Sequence, residues 1–115
     1  MPRPIKCRRV CRVPDVNKFG PKKILSVEEI IMNVEEYESI RLMDLEGMDQ
    51  TECAEFMGVA RSTFQRIYAT ARKKIAQSLI EGKLLKIEGG NFKVCQKNDG
   101  IRQCNKKCRW ENEVE

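Results

Sequence analysis

The stretch QTECAEFMGVARSTFQRIYA, residues 50–69, decides the fold of this chain. It places small or apolar residues wherever two short helices joined by a tight turn must touch. Ala54 is small where the helices cross, and Gly58 supplies the left-handed conformation that turns the chain. The positions that fit this pattern are Cys53, Ala54, Met57, Gly58, Val59, Phe64 and Ile67. The spacing predicts a helix-turn-helix over residues 49–81.

Capping signals extend the helical prediction on both sides of this stretch. Asn33 with Glu36, and Asp49 with Glu52, have the spacing of capping boxes, so helices should begin after Asn33 and after Asp49. Glycines at 47, 58 and 82 provide the stops, and the helix ending at Gly82 is the longest. At 100° per residue, its buried stripe consists of Phe64, Tyr68, Ala71 and Ile75. The helical core should therefore span residues 33–82.

The flanking segments have other patterns. All four prolines lie in residues 1–25, which predicts an extended basic N-terminal arm with at most one short strand. Residues 84–95 contain two strand-like runs around Gly89 and Gly90, which predicts a β-hairpin wing. Residues 96–115 form a polar, cysteine-containing tail. The expected fold is one mainly α domain over residues 1–115, with three helices, a wing and an arm.

Charge is distributed in blocks along the chain. The net charge is +5, but residues 1–25 carry eight Lys/Arg and one acid, whereas residues 26–60 carry ten acids and one Arg. Residues 61–86 are again basic, with seven Lys/Arg and one Glu. A basic arm and a basic helix favour a surface that meets a polyanion. Scattered, solvated surface charges are the alternative.

Other features exclude several classes of protein. The chain has no histidine, so it has neither Ser-His or Cys-His catalysis nor a His-ligated metal. No nucleophile and base are recognisable, and we expect no enzymatic activity. The absence of a long apolar run argues against a membrane segment, and the N-terminus lacks a signal-peptide pattern. We therefore expect a cytoplasmic protein.

Several segments resemble a known family. They are RPIKCRRV (3–10), EYESIRLMDLEGMDQTECAEFMGVARSTFQRI (36–67), ARKKIA (71–76) and EGKLLKIEGG (81–90). They are similar to uncharacterised protein family 0251, also called domain of unknown function 134, and residues 47–76 also resemble the region-four helix-turn-helix of sigma factors. The resemblance implies a predicted DNA-binding protein.

By analogy with recognition helices of this type, one face of the long helix should read DNA. The residues expected at base edges are Arg61, Ser62, Gln65 and Arg66. Those expected at phosphates are Gln50, Thr51, Arg72 and Lys73. The arm residues that could enter a minor groove are Arg3, Lys6, Arg8, Arg9 and Arg12. A strand or a solubilising tail is the alternative for the arm.

One position departs from the family pattern. Relatives usually have Ser where this chain has Ala60, just before the recognition helix, and loss of an N-cap hydroxyl costs about 1 kcal/mol. Either the helix begins at Arg61 and a DNA phosphate occupies its end, or it begins later with Ser62 and Gln65 as a capping box. The sequence leaves both open.

The cysteines outside the helices suggest one further site. Cys7 with Cys11, and Cys104 with Cys108, are two C-x₃-C pairs, and four thiolates suit a tetrahedral zinc ion. Thiol-based redox sensing and cysteines without a common role are the alternatives. Cys53 is expected in the core.

These observations favour a sequence-specific double-stranded DNA-binding protein, a transcriptional regulator acting as a homodimer. The alternatives are a sigma-like adaptor that binds RNA polymerase, and a cysteine-based metal or redox sensor with DNA binding as its output.

Overall fold

The computed structural model describes residues 7–21 and 28–94, and within them the chain is mainly helical. Three α-helices, one π-helical turn and five short strands make up the described part. The strands are β1 (Arg8–Val10), β2 (Lys18–Phe19), β3 (Glu29–Met32), β4 (Leu84–Ile87) and β5 (Phe92–Val94). The helices are α1 (Val34–Ile40), α2 (Gln50–Met57) and α3 (Arg61–Glu81), with the π-turn (Arg41–Leu45) after α1.

Helix boundaries follow the capping signals in the sequence. The Asn33 side chain accepts a hydrogen bond from the Glu36 amide at 2.8 Å, and Glu36 accepts one from the Asn33 amide. Asp49 and Glu52 form the same reciprocal pair at the start of α2. Gly58 ends α2 with φ of 72°, in the left-handed region that glycine adopts without strain. Both predicted capping boxes are confirmed.

Helix α3 begins at Arg61, with Ala60 in an extended conformation as its N-cap. No side-chain hydrogen bond caps this end. The interpretation that Ser62 caps a later start is therefore wrong. Gly82 ends the helix with φ of 68°, as predicted.

The two strands after α3 do not form a hairpin, and the predicted wing over residues 84–95 is wrong. β4 lies between β2 (antiparallel) and β3 (parallel) in one sheet. β5 pairs in parallel with β1 in another sheet. β4 and β5 therefore pair with strands that precede α1, and the connection between them leads from one sheet to the other.

That connection, residues 88–91, crosses the start of α1. The Glu88 amide donates to Met32 O, and the Val34 amide donates to Gly89 O. Gly90 has φ of 113°, and a Cβ there would collide with the carboxylate of Glu35. The two glycines that sequence reasoning assigned to a hairpin turn instead carry the chain from one sheet to the other.

Two apolar clusters form the core. The first joins α2 to the start of α3 and includes Phe56, Met57 and Phe64, all fully buried. The second lies between α1, α3 and the sheets and includes Val10, Ala71 and Leu85. The predicted stripe on α3 is confirmed, because Phe64 and Ala71 are buried and Tyr68 and Ile75 pack against the clusters. No helix of the described segments is long and apolar enough to cross a membrane.

The described part of the N-terminal arm, residues 7–21, is extended, and two of its residues are buried in the core. Val10 is fully buried and Cys11 is 3% exposed. The Cys11 amide donates a hydrogen bond to the carboxylate of Glu38 at 3.0 Å. This carboxylate also accepts from Nε and Nη2 of Arg41, both at 2.9 Å. The arm is therefore a structural strand segment over these residues rather than a free basic extension.

Candidate nucleic-acid interface

The N-terminal half of α3 presents a polar and basic face to solvent. Phe64 is fully buried and fixes the rotation of the helix, so its opposite side faces outward. The four residues expected at base edges are all exposed: Arg61, Ser62, Gln65 and Arg66. They lie one turn apart in two pairs along the helix surface. The structure thus brings the predicted base-contact set onto one continuous face.

The start of α2 lies beside this face. Gln50 is the first residue of α2, directly after the Asp49 cap, and its Oε1 accepts a hydrogen bond from Gln65 Nε2 at 2.7 Å. Arg61 Nε donates to the same oxygen at 3.4 Å. Thr51 is exposed next to Gln50. Sequence reasoning assigned Gln50 to a phosphate and missed its contacts with two base-contact candidates.

A second cluster lies one and two turns further along α3. Tyr68 donates its hydroxyl to Asp44 Oδ1 at 2.7 Å, and Arg72 Nε lies 3.7 Å from Asp44 Oδ2. The Arg72 guanidinium stacks over the Tyr68 ring. Desolvation, followed by the hydrogen bond to the Asp44 carboxylate, raises the pKa of Tyr68 above its ordinary value. Asp44, which the sequence did not single out, therefore holds two side chains of α3.

The basic residues of α3 face little opposing charge from their own helix. Its five Lys/Arg accompany one acid, Glu81, at the far end. Arg66 and Lys73 are exposed, and Arg72 is exposed beside Asp44. Lys74 instead turns inward and pairs with Glu36 at 2.7 Å. Both predicted phosphate-contact residues on α3, Arg72 and Lys73, are accessible.

The acidic middle of the chain is only partly buried, because three of the ten acids in residues 26–60 lie inside the fold and seven are exposed. Glu35, Glu36 and Glu38 of α1 are buried. Glu38 pairs with Arg41, and these hydrogen bonds and charges raise the pKa of Arg41 against the desolvation that opposes them. The three acids of α1 thus do not belong to a solvated acidic face, whereas the other seven acids of residues 26–60, among them Asp44, Asp49 and Glu52, lie on the surface.

The arm residues expected in a minor groove have different surroundings. Arg8 Nη1 pairs with Glu35 at 2.9 Å, and Arg9 Nη2 donates to Glu55 O at the end of α2. Arg12 pairs with Asp15 on the surface. Arg3 and Lys6 lie outside the described residues. Arg8 and Arg9 thus hold β1 against α1 and α2, and sequence reasoning had no signal for these non-local contacts.

The cysteine arrangement gives no metal centre within the described residues, where no group of three or more Cys, His, Asp or Glu side chains is placed to hold an ion. Cys7 is a free, exposed thiol. Cys11 is buried and disulfide-bonded, so its sulfur is not a free thiolate for zinc. Cys104 and Cys108 lie outside the described residues. Burial, with the nearby charges of Asp49 and Glu52, raises the pKa of Cys53 to about 12.

Comparison with known proteins gives a family and no solved structure. The family model described as "Protein of unknown function DUF134" matches residues 1–95. A UPF0251 protein of Desulfitobacterium hafniense is 52% identical over 103 residues, covering 88% of this chain and 80% of the relative. Another from Pelotomaculum thermopropionicum is 49% identical, covering 99% of this chain and 86% of its own length. No solved structure matches the chain.

Proposed function

The chain belongs to the DUF134 family of UPF0251 proteins, and we propose that it binds double-stranded DNA sequence-specifically through a helix-turn-helix formed by α2 and α3. One observation carries this proposal. The exposed face at the N-terminal half of α3 holds two arginines, a serine and a glutamine, and it is backed by a buried stripe. A helix that presents such side chains fits the width and chemistry of a major groove.

The start of α3 supports the same function. Its first turn contains no acidic residue, and no side chain accepts a hydrogen bond from its free backbone amides. These amides and the helix dipole attract an anion such as a DNA phosphate. Arg61 adds positive charge at this end, which a phosphate would compensate.

We assign the interface residues two kinds of role. The base-edge contacts are Arg61, Ser62, Gln65 and Arg66, with arginine suited to guanine and glutamine to adenine. The phosphate contacts are Gln50, Thr51, Arg72 and Lys73, which would give affinity and register rather than sequence preference. Among the described arm residues, Arg12 is the best placed to contact a minor groove, because Arg8 and Arg9 are held within the fold.

A homodimer is part of the proposal, because one short helix reads few base pairs. The last turn of α3 is apolar and unusually open, with Leu79 76% exposed and Ile80 84% exposed. Pairing of two such ends would bury this surface. Gln65 and Leu79 are separated by about 21 Å along the helix, at ~1.5 Å per residue. We call the exposed face formed by Arg61, Ser62, Gln65 and Arg66 the reading face. Two copies that pair through Leu79 and Ile80 would hold their reading faces within reach of neighbouring major grooves.

Selection of bound duplexes from a random DNA pool tests the proposal at a fixed, moderate salt concentration. The wild type is compared with the Arg61→Ala/Arg66→Ala variant and with Lys18→Ala/Lys93→Ala, which removes the same charge from exposed positions on β2 and β5. We expect an enriched sequence for the wild type and the Lys18/Lys93 control, and its loss with Arg61→Ala/Arg66→Ala. Binding without enrichment would contradict sequence-specific recognition. Binding to RNA polymerase with none to free duplex would favour the sigma-like adaptor.

A further inference from the structure

Two glutamines on different helices share a hydrogen bond at the centre of the proposed interface. Gln65 Nε2 on α3 donates to Gln50 Oε1 on α2 at 2.7 Å. Gln65 is exposed, whereas Gln50 is half-buried at the point where α2 begins. The hydrogen bond therefore restrains the exposed side chain of Gln65, and the restraining partner is the half-buried Gln50 of the neighbouring helix.

Arg61 fixes the direction of this bond. A guanidinium group has donors and no acceptor, so Arg61 Nε, 3.4 Å from Gln50, must face the amide oxygen of Gln50 rather than its nitrogen. With Gln50 Oε1 facing both neighbours, Gln65 must present its nitrogen, because two amide oxygens would repel each other. The chain of donors and acceptors leaves Gln65 one amide orientation.

In that orientation Gln65 keeps one N–H donor and its Oε1 acceptor for a ligand. Adenine offers the matching pair in the major groove, an N7 acceptor beside an N6–H₂ donor. Guanine offers two acceptors there, so Gln65 Oε1 would face guanine O6 without a hydrogen bond. A freely rotating glutamine adapts to more than one partner, but a restrained one discriminates.

We propose that Gln50 is a positioning residue that, together with Arg61, holds Gln65 in the orientation that reads adenine. The inference rests on the proposed function, since it assigns one base pair to one residue of the same interface. It also changes the role of Gln50 from a phosphate contact alone to a determinant of specificity. The Gln50 Nε2 group takes no part in either bond and stays a donor for a phosphate.

The base pair read by Gln65 is first located as the position of the selected duplex at which the Gln65→Ala variant no longer discriminates. The test then uses four duplexes, the selected one and the three that carry another base pair at that position. Binding of each duplex is measured for wild type, Gln50→Ala, Gln65→Ala and the double variant. We expect the wild type to prefer adenine at this position by about 5- to 150-fold, the range for a bidentate base contact. Gln50→Ala should lose most of that preference, and the double variant should lose no more than Gln65→Ala.

Two matched variants separate positioning from simple affinity. Thr51→Ala removes the neighbouring exposed side chain and should weaken binding to all four duplexes equally. Gln50→Glu keeps the acceptor oxygens that Arg61 and Gln65 need, so it should retain the adenine preference while its charge lowers affinity overall. Circular dichroism and thermal unfolding verify that each variant is folded.

The inference is overturned if the base pair read by Gln65 is not A·T. It is also overturned if Gln50→Ala lowers binding to the four duplexes equally, as Thr51→Ala does, and the DNA-binding proposal then stands. If the wild type enriches no sequence at all, the proposed function fails together with this inference. The random-pool selection therefore distinguishes the two failures.

Discussion

Asp44 lies where it would compete with the proposed DNA phosphate for the side chain of Arg72. Its carboxylate accepts the Tyr68 hydroxyl and lies 3.7 Å from Arg72, which is a proposed phosphate contact. This ion pair is exposed, so on its own it stabilises the fold little. Its effect should be on binding, because Arg72 must leave Asp44 to neutralise a phosphate.

Asp44→Asn should therefore strengthen DNA binding while keeping an acceptor for Tyr68. Arg72 would then reach its phosphate without first breaking an exposed ion pair, which should raise the affinity by up to about fivefold. The matched control is Glu55→Gln, which removes an exposed acid from α2 without touching Arg72. Affinity for one duplex at a fixed salt concentration is the readout, and equal affinities for the two variants would contradict the competition.

Cys53 gives a pH dependence at the residue scale. Burial raises its pKa from 9.0 to about 12, so the folded state prefers the neutral thiol more strongly than the unfolded chain does. The stabilisation is present in full below pH 9 and is lost as the pH rises from about 9 through about 12.

We expect the free energy of unfolding to fall more steeply over this alkaline range for wild type than for Cys53→Ala. Urea unfolding in a pH series measures both slopes. The alanine variant should be less stable at neutral pH because it leaves a small cavity, and this offset does not affect the comparison of slopes. Parallel slopes would show that Cys53 titrates normally in the folded protein.

At the scale of elements, local signals predicted the helices well and the strands poorly. A capping box such as Asn33 with Glu36 involves residues three apart, so its chemistry can be recognised in the sequence. β4 and β5 were recognised as strands, but their partners lie more than fifty residues away in the chain. β3 was not predicted, because pairing with β4 rather than local pattern makes it a strand.

In the candidate site, too, local features could be predicted from the sequence and contacts between distant residues could not. The exposed face of α3 follows from helical periodicity, and the four base-contact candidates on it were assigned by analogy with recognition helices. The Gln50–Gln65 bond and the Asp44 cluster join residues 15 and 24 positions apart. Their contacts depend on how α2 and the π-turn pack on α3, which no local pattern encodes.

The uncapped start of α3 supplies a prediction at this scale. Ala60 has the extended conformation of an N-cap residue but no side chain to accept a hydrogen bond. Ala60→Ser should raise the free energy of unfolding by about 1 kcal/mol. Ala76→Ser, at an exposed position inside the same helix, is the control and should be neutral or slightly destabilising. Denaturant unfolding compares the three proteins, and no gain at position 60 would show that this end is already satisfied.

At the scale of the whole molecule, substitutions at the apolar end of α3 test the proposed homodimer. Leu79→Ser/Ile80→Ser should convert a dimer into a monomer in sedimentation experiments and reduce binding to a two-site palindrome to the level of a single half-site. Val16→Ser/Leu45→Ser removes two other exposed apolar side chains and should leave the assembly intact. A wild-type protein that is monomeric while bound to a palindrome would contradict the proposed pairing.

The parallel pairing of β1 with β5 determines the order in which this protein can be completed during synthesis. Arg8 leaves the ribosome early, but its partner Phe92 follows only after the three helices have been made. At roughly 5–20 residues per second, the first strand waits several seconds for the last. The apolar cluster between α2 and α3 draws on residues from Cys11 to Phe64, all of which are made before β5, so the proposed helix-turn-helix can pack on a nascent chain whose N-terminal strand still lacks its partner. Val10, which pairs with Val94, then stays without its β5 neighbour until synthesis has reached Val94.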